Sequence, residues 1–69
     1  MMITVMINGE NRKVKAGATI GELLKKLKID VRLVAVELNY KMIKRDFLDK
    51  ITIKNMDNIE IVHFVGGGV

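Results

Sequence analysis

The chain has 69 residues, a formal net charge of +4, 49% hydrophobic residues and no cysteine. This length leaves room for one small domain that depends on its apolar core for stability, and the lack of cysteine excludes a disulfide framework, a thiolate zinc site and a cysteine nucleophile. No apolar run reaches about 18 residues and no basic segment leads into an apolar one at the start, so we expect a cytoplasmic protein without a membrane role.

The charge is mildly basic, with twelve lysine and arginine residues against eight acidic ones. A basic surface binds nucleic acid when it forms a stripe beside aromatic side chains that stack on bases. Here the basic residues are dispersed among acidic ones, and no predicted helix or loop gathers Tyr40, Phe47 and Phe64 beside a basic stripe. We therefore expect a solvated basic surface that does not bind nucleic acid.

The chain begins with a predicted β-hairpin. Residues 2–8 alternate between two faces, as a strand does, and the residues predicted to face the core are Ile3, Val5 and Ile7. Asn8-Gly9 is the strongest short hairpin signal, because both residues tolerate a positive φ. Residues 12–15 return as a mostly polar edge strand with Val14 facing inward, and their charges discourage pairing with another sheet.

The next element is a predicted amphipathic helix of about ten residues that packs on a sheet. Thr19 and Glu22 fit a capping box, in which each side chain covers the other's free backbone N–H. One stripe of the helix is apolar: Ile20, Leu23, Leu24 and Leu27. Lysines 25, 26 and 28 occupy the other side near the C-terminal end, where they complement the helix dipole. We expect Gly21 to be a point of close packing.

The remaining chain predicts mostly extended structure. Residues 33–38 predict a strand with Val34, Val36 and Leu38 facing inward, and residues 42–44 predict a short strand. Residues 45–50 predict a loop or single helical turn anchored by Phe47 and Leu48, and residues 51–54 a brief extended piece. Residues 59–65 predict the last strand.

The order of these elements predicts the fold. The last strand has no hairpin partner left, so we expect it to lie beside the first strand and parallel to it. The result is an α+β domain over residues 1–65, a mixed sheet with one helix packed on one face, followed by a flexible tail at residues 66–69. This arrangement is similar to the ubiquitin-like β-grasp fold.

The chain carries few residues suited to catalysis. Serine and cysteine are absent, and His63 lies in a predicted strand without a carboxylate beside it in the sequence, which favours a structural or surface role. Asp46, Asp49 and Asp57 lack the spacing of a calcium loop. We therefore expect no catalytic residue, no metal site and no cofactor, and the chain is not expected to be an enzyme.

A run of three glycines, Gly66, Gly67 and Gly68, directly follows the apolar last strand. Such a run costs conformational entropy when it is ordered and adds no packing. It can, however, thread into a narrow channel and present a carboxylate to the active site of another protein. On composition alone, a frayed end is the alternative interpretation.

Two stretches resemble a known family: residues 59–68 (IEIVHFVGGG) and residues 32–39 (RLVAVELN). The first is similar to the C-terminal signature of the thiamine-pathway sulfur carriers, the ThiS family, and the second to the middle strand of that family. Asn8-Gly9, Ala18-Thr19, Leu23-Leu24 and Arg45 also lie where the family has them, whereas Tyr40 stands where the family usually has glycine. The resemblance spans essentially the whole chain.

The resemblance implies a sulfur carrier. An E1-like adenylating enzyme (ThiF-like) would use ATP to adenylate the carboxylate of Gly68, and a sulfur donor protein would convert the acyl-adenylate into a thiocarboxylate. A thiazole synthase (ThiG-like) would then take the sulfur. A chain without cysteine cannot carry sulfur as a persulfide, which agrees with this chemistry.

Val69 departs from the family, whose members commonly end at Gly-Gly. It would move the terminal carboxylate outward by about 3.5 Å and add a β-branched side chain. Val69 is either removed, or tolerated by the activating enzyme, or this copy is not activated; we favour removal or an origin outside the natural chain.

Strand alternation predicts a partner-docking face opposite the helix. Its predicted members are Met6, Ala35, Val62 and Phe64, with His63 and basic residues such as Arg12 read for specificity. Alternatively, the loop that carries Phe47 and Leu48 covers part of this face.

The free protein is expected to be a monomer. Two other functions remain open. One is a ubiquitin-like sulfur carrier for molybdopterin or tungstopterin, tRNA thiolation or cysteine synthesis. The other is a ubiquitin-like interaction module whose tail is never activated.

Overall fold

The protein is a five-stranded sheet with one helix, in a computed structural model that describes residues 1–64. The strands are β1 (Met2–Ile7), β2 (Glu10–Lys15), β3 (Val34–Leu38), β4 (Lys41–Ile43) and β5 (Asn58–His63). The helix α1 spans Ile20–Lys26, and 3-10 turns span Val31–Leu33 and Arg45–Phe47. The predicted strand end at Val65, the boundary between residues 65 and 66, and the glycine tail lie outside the described residues.

The strand order in the sheet is β2-β1-β5-β3-β4. β5 runs parallel to β1 and antiparallel to β3, so the prediction that the last strand lies beside the first is confirmed. The hairpin between β1 and β2 turns at Asn8 and Gly9, which have φ values of 50° and 83°. The sheet is therefore mixed, and its centre is filled by the last strand of the chain.

The helix begins where the sequence predicts and ends earlier. Thr19 Oγ1 accepts a hydrogen bond from the Glu22 N–H at 3.1 Å, and Glu22 Oε1 accepts one from the Thr19 N–H at 2.9 Å, which completes the capping box. The helix ends at Lys26 because Lys28 adopts a left-handed φ of 61° and turns the chain away. Leu27 follows the last helical residue and is only half-buried.

The core lies between α1 and one face of the sheet. Its twelve buried hydrophobic residues are Val5, Ile7, Val14, Ile20, Leu23, Leu24, Val34, Val36, Leu48, Ile53, Ile59 and Ile61. The predicted core members Ile3 and Leu27 are half-buried at its margin. No helix among residues 1–64 has the length and apolar character needed to cross a membrane.

The segment after β4 contributes to this core through Leu48 and Ile53. The prediction that Phe47 anchors the segment is wrong, because the residue is 49% exposed and lies outside the core. Leu48 is the anchor, since it is buried and its carbonyl accepts a hydrogen bond of 2.8 Å from the Gly21 N–H. A Cβ atom on Gly21 would overlap the Asp49 carboxylate, which confirms close packing at this glycine.

Asn8 extends the pairing of β1 with β5 beyond the end of β1. Its backbone N–H donates to the Ile59 carbonyl at 2.9 Å. Its side chain then bonds Ile61 in both directions: Nδ2 donates to the Ile61 carbonyl at 3.0 Å, and Oδ1 accepts from the Ile61 N–H at 2.7 Å. The side-chain amide of Asn8 therefore pairs with Ile61 of β5 in the way that a backbone peptide group of β1 would.

We expect Asn8→Ala to lower the free energy of unfolding by about 1–3 kcal/mol, because the part-buried N–H and C=O of Ile61 lose their partners. Urea unfolding measures this loss. Asn8→Gly removes the same side-chain hydrogen bonds but keeps the positive φ, which glycine adopts without strain. Its loss of stability therefore measures the hydrogen bonds alone. Asn11→Ala, an exposed position on β2, is the matched control and is expected to be neutral; a fully stable Asn8→Gly protein would contradict this role of the side chain.

Candidate partner-docking site

The strand register places Ala35 and Val62 together on the face of the sheet that α1 does not cover. Ala35 lies directly opposite Val62 in the antiparallel pair of β3 and β5, and directly opposed residues point to the same face. The next pair, Val36 and Ile61, is buried in the core. Because successive side chains alternate, Ala35 and Val62 point away from the helix. Val62 is 55% exposed and Ala35 is half-buried.

Phe64 and Leu33 continue this pairing. The Phe64 N–H donates to the Leu33 carbonyl at 2.9 Å, and both side chains are more than half exposed. We call Leu33, Ala35, Val62 and Phe64 the apolar patch. Leu33 was not predicted as a docking residue. It could have been, because it lies two residues before Ala35 in the predicted strand, and residues two apart in a strand share a face.

Asp30 and Arg32 stabilise the 3-10 turn that ends at Leu33. The Asp30 carboxylate accepts hydrogen bonds from the Arg32 backbone N–H at 2.9 Å and from Nη2 of the Arg32 guanidinium at 2.8 Å. These bonds from Arg32 lower the pKa of Asp30 to about 2. The carboxylate caps the 3-10 turn Val31–Leu33 and so leads the chain into β3.

Met6 shares the open face but lies apart from the apolar patch. Its partner on β5 is Asn58, and four residues of strand, about 13 Å, separate Asn58 from Val62. Glu60 lies between these two levels and faces Glu37 of β3. Two carboxylates therefore border the apolar patch on the side of Met6.

His63 and Arg12 lie on the other face of the sheet. His63 pairs with the buried Val34, and Arg12 pairs with the buried Val5, so both side chains project toward the helix side. The expectation that they border the docking face is wrong on geometry, because neighbouring residues of a strand point to opposite faces. The lysines of β2 on the open face are Lys13 and Lys15, which pair with Thr4 and Met2.

The segment that carries Phe47 and Leu48 borders the apolar patch, where Arg45 and Leu48 line a groove with Phe64, but it leaves Val62 and Phe64 exposed. Leu48 is buried in the core, whereas Val62 and Phe64 stay exposed. Phe64 lines a shallow groove of about 190 Å³, whose other members include Ala35, Met42 and Arg45. β4 pairs with residues 36–38 of β3 and stops there, which leaves this groove beside the earlier part of β3.

Within residues 1–64, no three histidine, aspartate or glutamate side chains lie close enough to hold a metal ion. The predicted sulfur-carrying residues Gly66, Gly67 and Gly68 lie outside the described residues. The apolar patch ends at Phe64, two residues before the first of them.

Comparison with known proteins identifies the family. A family model described as the ThiS family matches residues 5–68. The sulfur carrier protein ThiS of Bacillus subtilis (strain 168) is 37% identical over 65 residues, which cover 93% of this chain and 98% of that protein. A thiazole synthase of Paramagnetospirillum magneticum is 39% identical over 64 residues, 93% of this chain, but the chain spans only 20% of that longer protein.

The fold agrees with a solved structure of the same family. The crystal structure of a thiamine biosynthesis protein (ThiS) from Geobacter metallireducens aligns with a TM-score of 0.84 at 33% identity, covering 96% of this chain and all of that one. The α+β, ubiquitin-like arrangement is confirmed by this likeness and by the mixed five-stranded sheet with one helix. The resemblance seen in the residues is likewise confirmed, and the chain belongs to the ThiS family.

Proposed function

We propose that this protein is a non-catalytic sulfur carrier for thiamine biosynthesis, with the sulfur held on the carboxyl group of Gly68. The observation that carries the proposal is the family match over residues 5–68, because it includes the three glycines as well as the folded domain. A full-length relative of the same size is named sulfur carrier protein ThiS.

The proposed chemistry takes place on the chain's carboxyl group. An E1-like, ThiF-type enzyme joins the Gly68 carboxylate to AMP from ATP and releases pyrophosphate. A persulfide sulfur of the donor protein then displaces AMP and forms an acyl disulfide. Two thiols reduce its S–S bond, which leaves the thiocarboxylate on Gly68, the free thiol of the donor and a disulfide of the two reducing thiols. Since the chain has no cysteine, it has no thiol on which to carry sulfur as a persulfide. The carboxylate of Gly68 is free only when its peptide bond to Val69 is absent, so removal of Val69 precedes adenylation.

Thiazole synthase is the proposed acceptor of the sulfur. A stretch of 64 residues that is 39% identical to this chain makes up 20% of a protein named thiazole synthase. A carrier-like sequence within a synthase supports a direct contact between the two kinds of protein. The acceptor takes the sulfur, and an oxygen atom from its substrate or from water takes the place of the sulfur, which regenerates the Gly68 carboxylate.

The apolar patch is the proposed docking surface for both the ThiF-type enzyme and thiazole synthase. An exposed apolar patch on a small soluble domain favours a role in binding, and this one ends two residues before Gly66. A partner that buries the Phe64 ring therefore holds the chain next to the glycines that must enter its active site. Aromatic side chains often supply the largest share of binding energy at such contacts.

We expect Phe64→Asp to weaken binding to both the ThiF-type enzyme and thiazole synthase by about tenfold or more, because a carboxylate replaces a ring that the partner desolvates. Titration calorimetry with each partner measures the change. The fold is expected to persist, since Phe64 is 56% exposed and lies outside the core.

Phe47→Asp is the matched control, because it makes the same change at a phenylalanine that is 49% exposed and not part of the apolar patch. It should leave both affinities close to those of the parent. If Phe64→Asp and Phe47→Asp bind equally well, the apolar patch is not the docking site; if Phe64→Asp unfolds, Phe64 belongs to the core.

The function itself is tested by intact-mass spectrometry of the chain ending at Gly68, incubated with its ThiF-type enzyme, ATP, a sulfur donor and a thiol reductant. We expect the mass gain of one oxygen exchanged for sulfur, reversed on incubation with thiazole synthase and its substrates. If a molybdopterin synthase large subunit removes the sulfur from the thiolated chain and thiazole synthase does not, the protein serves molybdopterin synthesis instead. Absence of ATP–pyrophosphate exchange would favour an interaction module.

A further inference from the structure

A groove of about 460 Å³ lies between the edge strand β2 and helix α1, on the opposite face of the sheet from the apolar patch. Its apolar floor contains Val14 of β2, and Leu23 and Leu27 of the helix segment. Leu27 is half-buried, so part of its side chain is available to an occupant. The sulfur-carrier chemistry proposed for the tail makes no use of this groove.

The backbone of β2 is open along the outer edge of this groove. The Ala16 N–H donates to the Met1 carbonyl at 2.9 Å, and the Met6 N–H donates toward β5, to the Asp57 carbonyl at 2.9 Å. Hydrogen-bonded pairs alternate along an antiparallel ladder, so the backbone groups of Asn11 and Lys13 point away from β1. β2 is the edge of the sheet, and no strand among residues 1–64 lies beside it there. These groups are placed to pair with an added strand.

The border of the groove is positively charged. Four basic residues contribute to its lining: Arg12, Lys13, Lys15 and Lys26. Arg12, which lies 4.0 Å from Glu10, and Lys26 are on the helix side, whereas Lys13 and Lys15 place their backbone at the groove and their side chains across the edge of β2 on the open face. The one acidic residue in the lining, Glu22, accepts the hydrogen bond from the Thr19 N–H that caps the helix. A second copy of the chain would bring the same charges against this edge, whereas an acidic segment is attracted to it.

We infer that the β2–α1 groove binds an extended acidic segment of a partner protein, which adds to the sheet as a strand beside β2. Paired side chains of neighbouring strands share a face. Every second residue of the segment therefore enters the groove and packs on Val14 and Leu27, and the acidic residues between them lie beside Lys13 and Lys15 on the open face. The site is separate from the apolar patch, and the inference does not depend on the sulfur-carrier function.

The test is an NMR titration of the ¹⁵N-labelled chain with a capped peptide of alternating sequence, Glu-Val-Asp-Val-Asp-Val-Glu. We expect saturable shifts at residues 10–18 and on the facing side of α1, with little change at Val62 and Phe64. A peptide of the same composition with its three valines together should bind more weakly. Shifts confined to the apolar patch, or equal binding of the rearranged peptide or of a short oligothymidylate, would overturn the inference.

Three variants separate charge from backbone pairing. Lys13→Glu is expected to raise the Kd of the alternating peptide by about fivefold, because an attractive pair becomes a repulsive one. Lys41→Glu makes the same charge change on β4, at the other edge of the sheet, and should leave the Kd within about twofold of the parent.

Asn11→Pro removes an outward N–H without changing charge, a substitution that edge strands tolerate. Its amide spectrum reports whether the fold is kept, and binding is expected to be lost. Equal Kd values for Lys13→Glu and Lys41→Glu would show that Lys13 does not attract the acidic peptide and that the lysines of β2 only discourage pairing with other sheets. This result would overturn the inference even if Asn11→Pro fails to fold.

Discussion

Replacing Gly67 with valine, in a chain that ends at Gly68, is expected to reduce adenylation and thiocarboxylate formation by about a hundredfold or more, because a small displacement of a reacting group costs this much. The β-branched side chain adds bulk on both sides of the backbone, where the three glycines otherwise present none. ATP–pyrophosphate exchange with the ThiF-type enzyme measures the adenylation step, and intact mass measures the thiocarboxylate.

The fold of the Gly67→Val protein is expected to be unchanged, because the buried core ends at Ile61 among the described residues. A thermal melt equal to that of the parent checks this. Gly67→Ala adds a single methyl group and should give an intermediate loss. If Gly67→Val is thiolated at the parental rate, the requirement for a tail without side chains is refuted.

Leu24→Ala is expected to cost about 2–5 kcal/mol of unfolding free energy, since truncation of a buried leucine loses its transfer energy and leaves a cavity. Leu24 has no exposed surface and lies in the middle of α1, over the sheet. Domains of ordinary stability have about 5–15 kcal/mol in total, and one this small is near the lower end. Urea unfolding is expected to show a large fall in the midpoint.

Leu27→Ala is the matched comparison. It removes the same atoms from a side chain that is half-buried and lies just after the helix, so its cost is expected to be clearly smaller. The apolar stripe in the sequence predicts equal contributions to stability from Leu24 and Leu27, whereas their different burial in the structure predicts unequal ones. Equal losses for Leu24→Ala and Leu27→Ala would contradict the position of the helix end.

The sequence predicts those parts of the fold that depend on neighbouring residues. The capping box of Thr19 and Glu22 and the turn at Asn8-Gly9 are local, and both are confirmed. The end of the helix was not predicted, because a lysine rather than a glycine takes the left-handed position at Lys28. The burial of Ile53 depends on packing between distant segments, since its N–H bonds the Ala18 carbonyl in a part of the chain with no sustained strand pairing.

The candidate site was only partly predictable for the same reason. Alternation along single strands places Val62 and Ala35 on the open face, and it also places His63 on the other face, a consequence that the sequence reasoning did not draw. The separation of Met6 from Val62 depends on the register of β1 with β5. That register pairs Met6 with Asn58, and it is set by contacts between the two ends of the chain that no local pattern reveals.

The position of β5 at the centre of the sheet has a consequence for synthesis of the protein. The ribosome makes β5 last among the strands, yet β1 and β3 have no shared neighbour until it arrives. Such long-range pairing delays folding until most of the chain is available. A nascent chain that stops before Asn58 therefore lacks both the strand that joins β1 to β3 and the Val62 and Phe64 surface. The folded domain and the proposed docking surface are therefore completed together, and an incomplete chain does not present that surface.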